Sequence, residues 1–272
     1  MIEWAETPDD KIIVDGMAIE YACFGPPPSQ ATTIVLLHEG LGSVALWRSF
    51  PSTLAERTGM GVLVYSRQGY GQSDSETTPR PLDFMTREAC DVLPHILDQS
   101  GVRHCILFGH SDGATIAAIY AGSVSDHRVR GLILEAPHFF TEASGLAEIA
   151  RLSEEFVTSG LKDRLAPYHR DAEAAFHGWS SVWLHPEFRA WDVSEVIDYI
   201  RVPILAVQGR DDQYGTLEQI RAIEERAYSP VDTVTLDCRH SPHQEAREEV
   251  LNAVAEYCAR LDRIEAACVE PV

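Results

Sequence analysis

The stretch Cys105-Ile106-Leu107-Phe108-Gly109-His110-Ser111-Asp112-Gly113-Ala114-Thr115-Ile116-Ala117-Ala118 decides how the chain is read. It opens as an apolar run of strand length, passes through Gly-His-Ser-Asp-Gly, and continues in small and apolar residues of helix spacing. A serine between two glycines, with a strand before it and a helix after it, is the G-x-S-x-G pattern of a nucleophile held on a strained strand-to-helix turn. The flanking glycines are required because that turn leaves no room for side chains beside the helix and the neighbouring strand. A hydroxyl is a poor nucleophile until a base takes its proton, so the rest of the sequence must supply a histidine held by a carboxylate.

Outward from this turn, short β-branched or leucine-rich runs alternate with longer helical ones. The spacing predicts strands over 33–37, 61–66, 104–108, 129–134, 203–208 and 233–236, and helices over 45–57, 84–99, 112–121, 216–227 and 244–264. Ahead of them, 11–14 and 17–23 are strand-like runs split by Asp15-Gly16, a two-residue hairpin signal, and Gly25-Pro26-Pro27-Pro28 ends the hairpin. Strand-helix alternation after an antiparallel opening predicts an α/β fold with a mostly parallel sheet covered on both faces. From His138 to Glu195 the alternation stops. This stretch has no convincing strand but holds Phe139, Phe140, Phe156, Tyr168, Phe176, Trp179, Trp183, Phe188 and Trp191. It reads as a helical cap, 138–195, over the sheet edge where open α/β sheets bind ligands, with 1–137 and 196–272 forming the core domain.

Two further loops leave the same edge as the serine: Gly209-Arg210-Asp211-Asp212 after one strand, and Asp237-Cys238-Arg239-His240-Ser241-Pro242-His243 after the next. With Leu36-Leu37-His38-Glu39-Gly40-Leu41-Gly42-Ser43 and Ser66-Arg67-Gln68-Gly69-Tyr70-Gly71-Gln72-Ser73, these motifs resemble the α/β-hydrolase superfamily over nearly the whole chain. The similarity is to capped serine hydrolases such as carboxylesterases and meta-cleavage-product hydrolases. It implies the α/β-hydrolase fold and ester-type hydrolysis without a cofactor, with Ser111 as nucleophile, Asp212 as acid and His240 as base. Superfamily membership implies no particular substrate. Asp211 and Glu135 stand as alternative acids, and His243 as an alternative base or a helix-terminal or pocket residue.

Two backbone N–H groups normally hold the oxyanion of the tetrahedral intermediate, each worth on the order of 3 kcal/mol of barrier. The resemblance assigns them to Asp112, which follows the nucleophile, and to Gly40. Glu39 stands where the family usually has glycine. Its carboxylate would oppose a developing oxyanion, so the alternatives are a salt bridge to a loop arginine such as Arg67 or contact with a polar part of the substrate. The Asp112 side chain is expected to cap the helix that it begins. Trp179 and Trp183, at i and i+4, share a helix face. With Phe139 they are expected either to line an apolar substrate pocket or to glue the cap to the sheet. His138, His169, His177 and His185 show no metal-ligand spacing, so no metal is expected.

The 272 residues carry 22 basic and 42 acidic groups, a net charge of −20. That excludes the basic stripe of a nucleic-acid binder and attraction to an anionic membrane surface. The acidity is diffuse, with 17 acidic and 9 basic groups in 1–137 and 10 and 5 in 138–195, which reads as solubility. Cys23, Cys90, Cys105, Cys238, Cys258 and Cys268 show no C-x-x-C spacing and read as thiols of a reducing compartment. No apolar run has membrane-spanning length and MIEWAETPDDK lacks a signal-peptide core, so a cytoplasmic protein with a small-molecule substrate is expected. The favoured substrate is a small, largely apolar ester. An acyl-CoA thioester or the carbon–carbon bond of a ring-cleavage product are the alternatives, and a non-catalytic small-molecule receptor is the alternative of another class. Oligomeric state is not legible.

Overall fold

Strands of β-branched and leucine-rich sequence alternate with helices along most of the chain, and the structure, a computed structural model, describes residues 2–269. The strands are β1 (Ile12–Val14), β2 (Met17–Ile19), β3 (Tyr21–Phe24), β4 (Thr33–Leu37), β5 (Gly61–Tyr65), β6 (Cys105–His110), β7 (Val129–Glu135), β8 (Ile204–Gly209) and β9 (Val231–Leu236). The helices are α1 (Phe50–Thr58), α2 (Phe84–Arg87), α3 (Leu93–Gln99), α4 (Asp112–Ser123), α5 (Ala143–Glu155), α6 (Leu161–Leu165), α7 (Ala172–Trp183), α8 (Glu218–Arg226), α9 (Pro242–Glu245) and α10 (Arg247–Val269). Strands β3-β5-β4-β6-β7-β8-β9 form one sheet, parallel except for the β3–β5 pair, and β1 and β2 form a separate hairpin.

Because side chains alternate across a strand, the central strands feed two cores. Val35, Leu37, Leu107, Leu132 and Leu134 pack on one face with α3 and α4. Ile34, Leu36, Ile106, Phe108 and Ile133 pack on the other with α1 and α10. The α/β-hydrolase fold expected above is the fold observed.

Several elements break where one piece was expected. The run 17–23 divides at Glu20, whose carboxylate accepts from the Ser66 hydroxyl at 2.6 Å and the Gln72 N–H at 2.8 Å, so β2 stays in the hairpin and β3 crosses to the main sheet. The stretch 45–57 becomes a 3₁₀ turn, Val44–Trp47, and α1, divided at Arg48, whose φ of 52° cannot continue a helix. Over 84–99 a π turn, Glu88–Val92, separates α2 from α3 next to Pro94, which has no N–H for the ladder. Helix 244–264 is instead α9 and α10.

Between β7 and β8 the described chain contains helices, 3₁₀ turns and one isolated bridge, Phe140 to Asp192. That bridge, with Val193 N–H to Phe139 O at 2.7 Å and Thr141 N–H to Trp191 O at 3.2 Å, ties the two ends of the helical insertion together. Aromatic side chains fill its interior, with Phe156 stacked on Phe176 at 4.0 Å and Phe188 on Trp191 at 5.0 Å. Among the described residues no helix is long and apolar enough to cross a membrane. Cys23, Cys90, Cys105, Cys238 and Cys258 are free thiols, and the Cys268 side chain lies outside the described residues.

Candidate functional site

The C-terminal ends of β6, β8 and β9 converge at one point above the sheet. Ser111 follows β6 with φ 53° and ψ −120°, a left-handed conformation that costs a non-glycine residue about 1–3 kcal/mol. Its N–H donates to Glu135 O at 2.8 Å, so sheet pairing with β7 holds the strained turn in place. Gly109 and Gly113 are sites of close approach. A Cβ at Gly113 would fall on the Leu37 carbonyl and within 2.7 Å of the His38 oxygen, and one at Gly109 would meet the Gly113 carbonyl. Gly113→Ala is therefore expected to push α4 off β4, at a cost of about 3 kcal/mol and a fall in Tm on the order of 10 °C. Thermal unfolding followed by circular dichroism checks this, and an unchanged Tm would contradict the packing.

Around Ser111 the three residues picked from the sequence are brought together. His240 Nε2 lies 3.0 Å from Ser111 Oγ, and His240 Nδ1 lies 2.9 and 2.8 Å from the two carboxylate oxygens of Asp212. Asp212 also accepts from Tyr214 N–H at 2.8 Å and from the Gln208 side-chain amide at 2.8 Å. Burial raises the Asp212 carboxyl, but His240 and the Tyr214 N–H outweigh it and bring it down to about 2. The other acids are engaged elsewhere: Asp211 is exposed, and Glu135 Oε1 sits 2.7 Å from His243 Nδ1.

A cavity of about 370 Å³ opens over Ser111 and His240, between the strand ends and the helical insertion. Gly40, Asp112, Trp179 and Trp183 line it, and the Trp179 indole lies against Gly40. Two residues expected in the pocket are not in its lining. Phe139 is wholly buried in the core beneath, its N–H bound to Gln219 Oε1 at 2.8 Å, and His243 is drawn away by Glu135 into contact with Trp47 and Phe50.

Glu39 departs from the expected salt bridge to Arg67. The Arg67 guanidinium donates to the main-chain carbonyls of His38 and Glu39, because the loop turns its oxygens toward it. The Glu39 carboxylate lines the cavity, about a quarter exposed, with Oε2 3.6 Å from His110 Nδ1. Burial works to raise this carboxyl, and the His110 and His38 rings more than reverse it, leaving Glu39 well below the usual carboxylate range. His110 mirrors this: burial opposes its charge, yet Glu39 and Glu135 bring the ring from 6.5 up to about 9. A raised histidine stabilises the fold fully below its unfolded value, and that contribution fades as pH rises through about 9. Asp112 Oδ2 is buried without a hydrogen-bond partner instead of capping α4, and burial raises its carboxyl against the fields of Arg67 and Arg80.

Sequence reasoning passed over several lining residues. Tyr214 packs its ring 4.6 Å from that of His240. The Glu245 carboxylate accepts from the N–H groups of Arg239 at 2.9 Å and Ser241 at 3.2 Å, on either side of His240. His138 lines the cavity, and burial followed by the field of His240 brings its ring down to about 3. His169 instead bridges Gly71 N–H and Leu41 O, each at 3.0 Å. Among the described residues, one group of possible metal ligands, His110, Glu135 and His243, lies within 4.8 Å. His243 already takes Glu135 Oε1 there.

A family profile described as alpha/beta hydrolase fold matches residues 32–167, half of the chain. The sn-1-specific diacylglycerol lipase ABHD11 of Danio rerio is 30% identical over 113 residues, which are 42% of this chain and 34% of that protein, so the match spans about a third of the relative's length. The enol-lactonase from Burkholderia xenovorans LB400 superposes with a TM-score of 0.70 at 18% identity, covering 90% of this chain and 98% of that one. A thermophilic esterase from Thermogutta terrifontis gives a TM-score of 0.71 at 17% identity, over 90% and 94% of the two chains. With the sheet order, the strained serine turn and the profile match in agreement, the chain belongs to the alpha/beta hydrolase fold family.

Proposed function

We propose that the protein is a cofactor-free serine hydrolase that cleaves a small, largely apolar carboxylic ester through an acyl-enzyme. The observation that carries this reading is the chain of contacts from Ser111 Oγ to His240 at 3.0 Å and from His240 to Asp212 at 2.8 Å, at the floor of an aromatic-walled cavity. As Ser111 Oγ bonds to the ester carbon, its proton passes to His240 Nε2 and the carbonyl electron pair moves onto oxygen. The N–H groups of Asp112 and Gly40 hold that oxyanion. The intermediate collapses, the carbon–oxygen bond to the leaving alcohol breaks, and His240 gives the alcohol its proton. Water repeats the sequence on the acyl-enzyme and releases the acid. In this reading 138–195 is a cap that excludes water from the core formed by 1–137 and 196–272, and Trp179 and Trp183 form the apolar wall. The free thiols accord with a reducing cytoplasm.

An anionic substrate is disfavoured because Glu142 and Glu245 line the cavity against one arginine, Arg239, and Glu39 adds no positive charge. That lining is unsuited to the phosphates of an acyl-CoA. Three of the proteins to which the chain is similar are named as a lipase, a lactonase and an esterase, which accords with an ester substrate. The test is a panel of short p-nitrophenyl esters, aryl-CoA thioesters and vinylogous diketones, together with labelling by a fluorophosphonate. The neutral esters are expected to give the highest kcat/KM, by about tenfold or more, and the probe to label Ser111. Preference for thioesters or diketones would replace the ester reading, and folded protein that takes no label would favour a receptor.

A further inference from the structure

A second set of ionisable groups is built against the backbone of the His240 loop. His110, Glu135 and His243 are all at least nine-tenths buried. His110 Nε2 lies 2.7 Å from the main-chain oxygen of His240, and its Nδ1, buried and without a hydrogen-bond partner, lies at an ion-pair distance of 3.6 Å from Glu39 Oε2. A neutral imidazole has one N–H and one lone pair. Here both ring nitrogens face oxygens that can only accept, a carbonyl on one side and a carboxylate on the other. A neutral ring with its proton on Nε2 would turn the Nδ1 lone pair toward the Glu39 carboxylate, whereas the doubly protonated ring sets an N–H toward each oxygen. A third acceptor stands nearby: Glu135 takes His243 through Oε1, by N–H at 3.0 Å and by the ring at 2.7 Å, and its buried Oε2 has no hydrogen-bond partner.

We propose that His110 is a standing imidazolium and a positioning residue: its charge cancels Glu39 beside the oxyanion-holding Gly40, and its Nε2–H fixes the carbonyl of His240. The proposal rests on the reading of His240 as base. It accounts for a carboxylate next to a developing oxyanion, which alone would oppose the reaction, since the Glu39–His110 pair is neutral as a unit. The groups that face the ring are Glu39 from the loop after β4, Glu135 at the end of β7 and His138 from the segment that follows it, and His240 and His243 from the loop after β9 and from α9.

The wild-type protein tests the charge directly. In long-range ¹⁵N–¹H spectra of its histidine rings, both His110 nitrogens should carry protons at neutral pH, and the ring should titrate near 9. A single neutral tautomer at neutral pH overturns the proposal. The resonance is assigned by its loss in His110→Gln, or by its displacement in Glu39→Gln should the first variant not fold. His110→Gln keeps a side-chain N–H for the His240 carbonyl but removes the charge. Its kcat on a neutral ester should fall on the order of 10²-fold with KM little changed. The acid limb of its pH–kcat/KM profile should move up by about half a unit or more, because Glu39 and Glu135 are left uncancelled near the base. Adding Glu39→Gln should move the limb back. A uniform loss of kcat with an unmoved limb would mean a structural role alone and overturns the assignment. Fluorophosphonate labelling of the wild type separates the two readings: without labelling the serine-hydrolase reading fails, while the ring spectra still decide the charge on His110.

Discussion

Ser111→Ala is expected to reduce kcat on a neutral p-nitrophenyl ester by roughly four to six orders of magnitude and to abolish fluorophosphonate labelling, while leaving the fold intact. The size follows from what Oγ does in the proposed mechanism. Without it there is no nucleophile for His240 to activate, and only the oxyanion donors and binding remain to hasten attack by water. Stability should change little, because the hydroxyl's hydrogen bond is to His240 and the φ of 53° burdens alanine as it does serine. Steady-state rates, the mass of the protein after exposure to the probe, and thermal unfolding together check this. A folded variant with near-normal esterase activity would sink the mechanism.

The parts of the molecule legible in the sequence are those that backbone rules govern. Continuous apolar runs in β4, β5, β6 and β8, which are buried along their whole length, helix-length spacing between them, and two glycines flanking a serine are local patterns that leave few alternatives. The convergence of Ser111, Asp212 and His240 followed from topology, since parallel strands deliver their following loops to one edge. Long-range side-chain pairing was not legible. Nothing near Glu39 in sequence says that its carboxylate meets His110, 71 positions away, or that Glu135 meets His243 across 108. The same blindness put His243 and Phe139 in the pocket, because a sequence shows that a side chain is aromatic or basic but not which neighbour claims it. Breaks within elements were hidden for a related reason. Glu20 stops a strand through its bonds to Ser66 and Gln72, which are distant in the chain.

Asp212→Asn is expected to lower kcat by about 10⁴-fold with KM little affected, a loss that comes from the wrong tautomer and not from lost shape. Asp212 Oδ1 accepts the N–H groups of Tyr214 at 2.8 Å and Gly215 at 3.3 Å, so the new amide must keep its carbonyl oxygen there. Its NH₂ then takes the place of Oδ2 and points a donor at His240 Nδ1. Gln208, whose amide donates to Asp212 Oδ2 at 2.8 Å and to Gly215 O at 3.1 Å, must then give up the first bond or turn its amide at the expense of the second. His240 answers by presenting a lone pair at Nδ1 and carrying its proton on Nε2, where it can no longer accept the proton of Ser111. A pH profile separates this from simple loss of a charge. The Asp212 carboxyl is held at about 2 against 3.8, so its stabilising contribution is complete above 3.8 and is lost as pH falls through about 2, and its titration leaves the neutral range untouched. Asp211→Asn should be nearly silent, as the side chain is exposed and away from His240. Glu135→Gln should act on the anchoring of α9 through His243 and so on stability. If Asp211→Asn or Glu135→Gln, and not Asp212→Asn, caused the 10⁴-fold loss, the acid would have to be reassigned.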